Sequence, residues 1–254
     1  MSVLKLFDLS GKKALVTGGS YGLGRAMAEA LLEAGAEAGL IDVSDQLADT
    51  ARELFSLGRK VVGIRADLSD RKERARAFAE FLKTFGTIDI LVNNAGITRR
   101  HPAEKFPLED WDQVIELNLT AVFELCQLAG RVMLAKGAGK IINIASLYSF
   151  IGGLTVPAYT ASKGGVGQLT KALSNEWAGR GVNVNAIAPG YMDTPLNVAL
   201  KNDPNRFQQI LERIPAGRWG QPEDLKGTAV FLASAASDYV HGAILVVDGG
   251  FLGR

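Results

Sequence analysis

Residues 13–35 read Lys13-Ala-Leu-Val-Thr17-Gly18-Gly19-Ser20-Tyr21-Gly22-Leu23-Gly24, then Arg-Ala-Met-Ala-Glu-Ala-Leu-Leu-Glu-Ala-Gly35, and this stretch decides the fold. A short apolar run is followed by a glycine-rich loop and then by a segment of strong helix formers. Strand, glycine loop and helix in this order are the context that a dinucleotide fingerprint requires. Gly18, Gly22 and Gly24, with Ser20, Tyr21 and Leu23 between them, let the backbone turn tightly and approach a pyrophosphate. The phosphate charge then sits at a helix N-terminus, where backbone N–H groups are free. Asp42 ends the next apolar run, Glu37–Asp42, eighteen residues beyond Gly24. A carboxylate there accepts from both ribose hydroxyls of NAD and repels a 2′-phosphate. Tyr21 supplies no cation to offset it, so NAD rather than NADP is the expected cofactor.

Outward from this unit, strand-like and helix-like segments alternate to the end of the chain. Further strands are expected at 60–66, 88–93, 140–145, 183–188 and 243–248, and helices near 45–57, 70–84, 110–136, 158–180 and 222–235. Near-continuous apolar strands such as ILVNN and KIINIA suit a parallel sheet covered on both faces. The alternation implies right-handed crossovers and an α/β, doubly wound parallel sheet with helices on both faces. Neither a linker nor an internal repeat interrupts it, so residues 1–254 are expected to form one domain. Residues 191–221, with Pro195, Pro204 and Pro215 among polar residues, break the rhythm after a strand's carboxyl end. That is where a substrate lid would lie.

Composition excludes several classes of function. Hydrophobic content of 47% and charged content of 22% are globular values, and a net charge of +1 offers no field for nucleic acid or a membrane surface. The single cysteine, Cys126, rules out an intramolecular disulfide framework and points to a reducing, cytoplasmic setting. His101 and His241 stand far apart, and no metal-ligand cluster is visible. The first residues, MSVLKLFDLSGKK, contain no apolar signal core, and no apolar run reaches the roughly 18 residues that span a bilayer.

The chemistry is carried by Tyr159-x-x-x-Lys163, with Ser146 thirteen residues before the tyrosine. That spacing puts a phenol and an ammonium on neighbouring turns of one helix. A nearby cation favours the phenolate, lowering the phenol from its ordinary pKa of about 10 toward neutrality. Tyr159 is then a proton acceptor for alcohol oxidation and a donor for ketone reduction. Ser146, ending an apolar strand, can hydrogen-bond the reacting oxygen.

Thr17-Gly-x-x-x-Gly-x-Gly24, Asn93-Asn-Ala-Gly96, Asn118, Ser146, Tyr159-x-x-x-Lys163 and Pro189-Gly190 together resemble the motif set of the short-chain dehydrogenase/reductase family, in the family's order. The resemblance covers the chain from about residue 8 to Val247-Asp-Gly-Gly250. It implies a nicotinamide-dependent oxidoreductase with a Rossmann-type sheet in order 3-2-1-4-5-6-7. It also implies that Lys163 binds the nicotinamide ribose and that Asn118 holds a water relaying protons to it. Asp67 with Leu68 would meet the adenine, and Asn94, Ala95 and Gly96 would border the cofactor. Pro189, Gly190, Met192 and Thr194 would complete its site, Thr194 on the carboxamide.

Arg99 and Arg100 directly follow the Asn-Asn-Ala-Gly turn, and either can grip a carboxylate through two parallel bonds. GITRRHPAEKF, NIASLYSF, VPAYTASK, NVNAIAPGYM and RIPAGRWGQPEDL are similar to the family branch acting on sugar acids, the 2-dehydro-3-deoxy-D-gluconate, 2-deoxy-D-gluconate and gluconate dehydrogenases. A reductase of carrier-bound 3-oxoacyl chains shares the catalytic motifs, but Asp42 and the small net charge disfavour it. A dinucleotide sensor would need none of Ser146, Tyr159 and Lys163. The segment 110–136 is apolar on nearly every side, and the helix after Tyr159 carries Ala161, Gly164, Gly165 and Gly167, which permit close approach. With the family resemblance, these faces imply a homotetramer.

Overall fold

The structure, a computed structural model, describes residues 2–254. Seven strands form one parallel sheet: β1 Lys13–Thr17, β2 Glu37–Asp42, β3 Val61–Arg65, β4 Ile90–Asn93, β5 Gly139–Ile144, β6 Val182–Pro189 and β7 Ile244–Val247, in the order 3-2-1-4-5-6-7. The order reverses beside β1, where Leu15 stands opposite Gly39 of β2 and Leu91 of β4. The main helices are α1 Gly22–Glu33, α2 Leu47–Phe55, α3 Arg71–Phe85, α4 Leu108–Ile115, α5 Ala121–Lys136, α6 Pro157–Trp177, α7 Val198–Lys201, α8 Pro204–Leu211 and α9 Lys226–Ala233.

Strand side chains alternate between the faces of a sheet, and both faces here are apolar cores. Leu15 and Ile41 point into one core with Phe78, Phe81, Leu125 and Val166 of α3, α5 and α6. Their neighbours Val16 and Leu40 point into the other, with Met27, Leu31, Leu54 and Leu232 of α1, α2 and α9. A strand buried on both sides cannot show the apolar–polar alternation of a surface strand. The sequence reads as continuous apolar runs for that reason.

Two expectations need correction. The segment expected as one helix at 110–136 is interrupted by a π-helical turn, Glu116–Thr120, between α4 and α5. Apolar periodicity does not register one extra residue in one turn, and such turns are frequent at functional sites. Arg74 of α3, fully buried, holds this turn: its guanidinium donates to Glu116 (2.6 Å), Glu124 (2.8 Å) and the Leu68 carbonyl (2.7 Å). Residues 191–221, expected to be irregular, contain α7 and α8. Pro204 starts α8 rather than breaking structure, because Asp203 before it caps the helix through the N–H groups of Asn205 and Arg206. Both ends of the segment are pinned together, Asp193 N–H to the Gly220 carbonyl at 2.7 Å and Gly220 N–H to the Tyr191 carbonyl at 2.9 Å. Its apolar side chains Leu200, Ile210, Ile214 and Trp219 form a third cluster with Leu147 and Phe251.

Residues Leu108–Lys136 are also long and apolar enough, by length and composition, to cross a membrane. In the fold Val114, Ala121, Val122, Leu125, Cys126, Ala129 and Met133 of this segment are buried. Leu108 and Phe123 remain exposed.

Candidate active site

A cleft runs outside the carboxyl ends of the strands, across the point where the strand order reverses. Its wall takes Gly18, Tyr21, Gly22 and Leu23 from the loop after β1, Asp42 from β2, Leu68 from beyond β3, and Asn94, Ala95 and Gly96 from beyond β4. Tyr159 and Lys163 of α6 and Pro189, Gly190, Met192 and Thr194 complete it. Arg100 and Lys163 are its only cations among the described residues.

The residues of the loop fit a dinucleotide. Tyr21 occupies the N-cap of α1 without a capping side chain, so the first N–H groups of the helix have no side-chain acceptor. The Ser20 hydroxyl is buried without a partner. A Cβ on Gly24 would lie 2.0 Å from the Gly18 carbonyl oxygen, so only glycine lets the helix start this close to the strand. Asp42 is fixed at the rim by three N–H donors, from Ser20 (3.0 Å), Val43 (2.8 Å) and Ser44 (3.1 Å). A carboxylate has about four lone-pair sites, which leaves one to accept from a ribose hydroxyl. Asn94 braces the same loop, donating through its side-chain amide to the carbonyls of Thr17 and Gly18, both at 3.0 Å.

At the other end, the helical register places Lys163 one turn after Tyr159, its Nζ 5.6 Å from the ring centroid. The ammonium is 4% exposed and donates to the Ile144 carbonyl at 2.6 Å. Burial pulls its pKa down from 10.5 to about 8. The Tyr159 side chain remains partly open to the cleft, yet its removal from bulk water pushes the phenol up to about 12. The Ser146 hydroxyl beside it and the charge of Arg100 oppose that rise, and Tyr148 adds to it. The expectation of a phenol lowered toward neutrality is therefore corrected: desolvation outweighs the Ser146 hydroxyl and the Arg100 charge. At pH 7 the protein presents a protonated phenol and an ammonium. Ser146 caps the turn Leu147–Ser149 and accepts from the Tyr148 N–H at 3.2 Å, a bond that does not consume its own hydrogen.

Residues 18–252 match the family model described as enoyl-(acyl carrier protein) reductase, which is of the short-chain dehydrogenase/reductase type. The chain belongs to the short-chain dehydrogenase/reductase family. It is 53% identical to a 2-dehydro-3-deoxy-D-gluconate 5-dehydrogenase of Pseudoalteromonas atlantica, over 99% of this chain and all of that one. A solved Agrobacterium tumefaciens structure, described as a 2-deoxy-D-gluconate 3-dehydrogenase with bound NADP, is 51% identical with a TM-score of 0.91, covering 98% of this chain and 99% of that one. A gluconate 5-dehydrogenase of Burkholderia cenocepacia, solved with NADP and tartrate, is 42% identical with a TM-score of 0.95 over the whole of both chains. As a member of this family the protein is an oxidoreductase that works with a nicotinamide dinucleotide.

Several expected residues of this family site fall elsewhere. Asp67 is exposed, and its carboxylate accepts from the N–H and hydroxyl of Ser69 in the turn into α3, so the wall is made by Ala66 and Leu68 instead. Asn118, fully buried in the π turn, does not line the cleft. Its side chain exchanges two bonds with the Ile97 backbone, both 2.9 Å, and donates to the Ser162 hydroxyl at 3.2 Å. Both amide hydrogens are spent on protein partners, so the side chain braces the 94–97 turn against α6. Arg99 turns away to Asp110 (3.4 Å) and Gln113 (3.2 Å), whereas Arg100 enters the cleft. Sequence reasoning missed Thr98, Tyr148 and Tyr191 on the cleft wall. Tyr148 lies two residues after Ser146 and Tyr191 directly after Gly190, and that adjacency was the available signal.

Proposed function

We propose that this protein is a NAD-dependent dehydrogenase of sugar acids, with 2-dehydro-3-deoxy-D-gluconate the first candidate substrate and D-gluconate the second. The observation that carries this reading is Arg100. Its guanidinium reaches the cleft without a partner among the described residues and lies close enough to favour the Tyr159 phenolate, while Arg99 beside it is tied to Asp110. A free guanidinium in an apolar cleft recognises a carboxylate. The names of the Pseudoalteromonas, Agrobacterium and Burkholderia relatives support the same class, and the tartrate in the last is itself a hydroxy dicarboxylate.

The nicotinamide supplies the hydride acceptor or donor when bound. Gly18, Ser20, Tyr21, Gly22, Leu23 and Gly24 would hold its pyrophosphate, Asp42 its adenosine ribose, and Thr194 its carboxamide. The protein's own residues manage the proton and the charge. Tyr159, protonated near neutrality, gives its proton to a carbonyl oxygen that Ser146 holds by hydrogen bond, and Lys163 stabilises the phenolate left behind. In the oxidative direction Tyr159 must first be deprotonated. Arg100 and Lys163 assist this, and oxidation is expected to accelerate toward alkaline pH. Asn118 acts through the 94–97 turn as a positioning residue.

NAD is favoured over NADP because, among the described residues, no lysine or arginine lies on the wall beside Asp42 at the rim. The NADP in the Agrobacterium and Burkholderia structures makes this the point to measure first. Turnover with NAD and NADP, each against D-gluconate, 2-dehydro-3-deoxy-D-gluconate, neutral polyols and a 3-oxoacyl thioester, tests the whole reading. Preference for polyols or thioesters would overturn the substrate class, and equal or better use of NADP would overturn the cofactor assignment.

Residues 191–221 are proposed as a substrate lid whose root is the Tyr191–Gly220 pairing, testable as protease protection on adding cofactor and substrate. Assembly is proposed to be a homotetramer. Phe123 on α5 and Val246 on the edge strand β7 are 42% and 41% exposed, and burying them against symmetry mates gives two interfaces. Sedimentation at micromolar concentration checks this, and a monomer would overturn it.

A further inference from the structure

Tyr148 and Tyr191 face each other in the cleft, hydroxyl to hydroxyl at 3.0 Å. They come from separate elements. Tyr148 sits in the turn that Ser146 caps, and Tyr191 is at the root of the 191–221 segment. The Tyr148 ring stands edge-on to Tyr159 with centroids 6.0 Å apart, so the pair borders the reacting phenol. Neither ring is loose. Tyr191 packs against Trp219 at 5.5 Å and Phe251 at 5.3 Å, and the Tyr148 backbone is fixed by the Ser146 cap.

Two phenols offer two O–H donors and about four acceptor sites. Their mutual bond uses one of each, leaving one donor and about three acceptors for whatever occupies the cleft. Burial pushes the Tyr191 phenol up, so Tyr191 stays neutral near pH 7. A neutral group that both donates and accepts is the complement of an alcohol, and charged Arg100 is the complement of a carboxylate. The surrounding wall at Ile97, Val156 and Leu196 is apolar and would suit an acyl chain equally well. The paired hydroxyls therefore distinguish a polyhydroxylated occupant from a hydrocarbon one.

We infer that the Tyr148–Tyr191 pair is a specificity element that reads a substrate hydroxyl away from the reacting carbon. The inference rests on the sugar-acid reading and adds to it a residue pair and a chemical group. A site built to bond a hydroxyl rejects the analogue lacking it, because its own polar groups are left unpaired. Removing one phenolic oxygen should relax that rejection.

The test compares wild type, Tyr148→Phe and Tyr191→Phe on D-gluconate and the monodeoxy D-gluconates that keep the hydroxyl at the oxidised carbon. These acids share the carboxylate and the reacting carbon. In wild type, at least one monodeoxy acid should fall in kcat/KM by about tenfold relative to D-gluconate, the scale of one neutral hydrogen bond. Tyr148→Phe should erase that ratio for the same acid, chiefly by weakening D-gluconate, with unchanged cofactor affinity. A purely structural latch predicts that all the acids lose by the same factor, and that result overturns the inference. So does a ratio unmoved in both variants. If Tyr148→Phe does not fold, the same ratio in Tyr191→Phe decides. Wild type that turns over none of these acids, nor 2-dehydro-3-deoxy-D-gluconate, would mean the sugar-acid reading itself has failed, and the inference falls with it. Turnover of the acids with unaltered discrimination removes the inference alone.

Discussion

Lys163→Met isolates what an ammonium buried in the active site costs this fold. Lys163 is 4% exposed, and burial draws its pKa from 10.5 to about 8. Its folded pKa lies below its unfolded one, so the unfolded chain binds more protons across the window between them. Stability therefore rises with pH from about 8 to about 10.5. Entered in the linkage relation, these values make the ammonium cost about 3 kcal/mol at pH 7 and about 1.4 kcal/mol at pH 9.5. Methionine, of similar length, does not titrate. The stability of wild type minus that of the variant should thus grow by about 2 kcal/mol between pH 7 and pH 9.5. The bond from Nζ to the Ile144 carbonyl is also lost in the variant, but that loss is common to the interval and does not enter the slope. Tyr159, pushed up to about 12, stays protonated in the folded protein throughout. Urea unfolding at matched protein concentration and ionic strength, at four or five pH values, gives the difference directly. A difference independent of pH would refute the depressed pKa, and one that fell with pH would reverse its sign. The variant should be inactive however stable it is, because the charge that burdens the fold is the one proposed to stabilise the Tyr159 phenolate.

Tyr159→Phe should leave cofactor binding near normal while cutting turnover by about 10²-fold or more, the scale of general acid–base catalysis; retained turnover would route the proton elsewhere. Asp42→Ala should shift the ratio of kcat/KM values toward NADP, since it removes a ribose acceptor and the repulsion of a 2′-phosphate. An unchanged ratio would show that the rim carboxylate does not discriminate. Arg100→Met should raise KM for acidic substrates far more than for neutral polyols, and Arg99→Met should affect both little, because Arg99 is held by Asp110 and Gln113. Arg74→Met should destabilise the protein by about 2 kcal/mol in urea, because Glu116 and the Leu68 carbonyl lose their donor and Glu124 keeps only Arg71. A loss below about 1 kcal/mol would mean that relaxation of the π turn compensates.

What was legible in the sequence divides along a physical line. The sheet and its order were legible because a strand buried on both faces must be apolar throughout, and Leu15 and Val16 serve two different cores from adjacent positions. The glycine loop was legible because the absence of a Cβ is itself the function, as the 2.0 Å approach at Gly24 makes plain. Tyr159 and Lys163 were legible because one helical turn fixes their separation. Features that depend on where a side chain turns were not. Arg99 and Arg100 are identical in type and adjacent in sequence, and Asp110 and Gln113, further along the chain, hold Arg99 and so decide which of them faces the cleft. The pKa of Tyr159 was read from its neighbours alone. A sequence lists the charges near a group but not the water taken from it, and here the missing water weighs more than Arg100. Asn118 joins both kinds: its place in the motif was visible, but the π turn that buries it was not, and the Arg74 bridge that holds the turn comes from α3, more than forty residues away. A single residue inserted in a helical turn leaves no periodic trace, so the position was readable and its work was not.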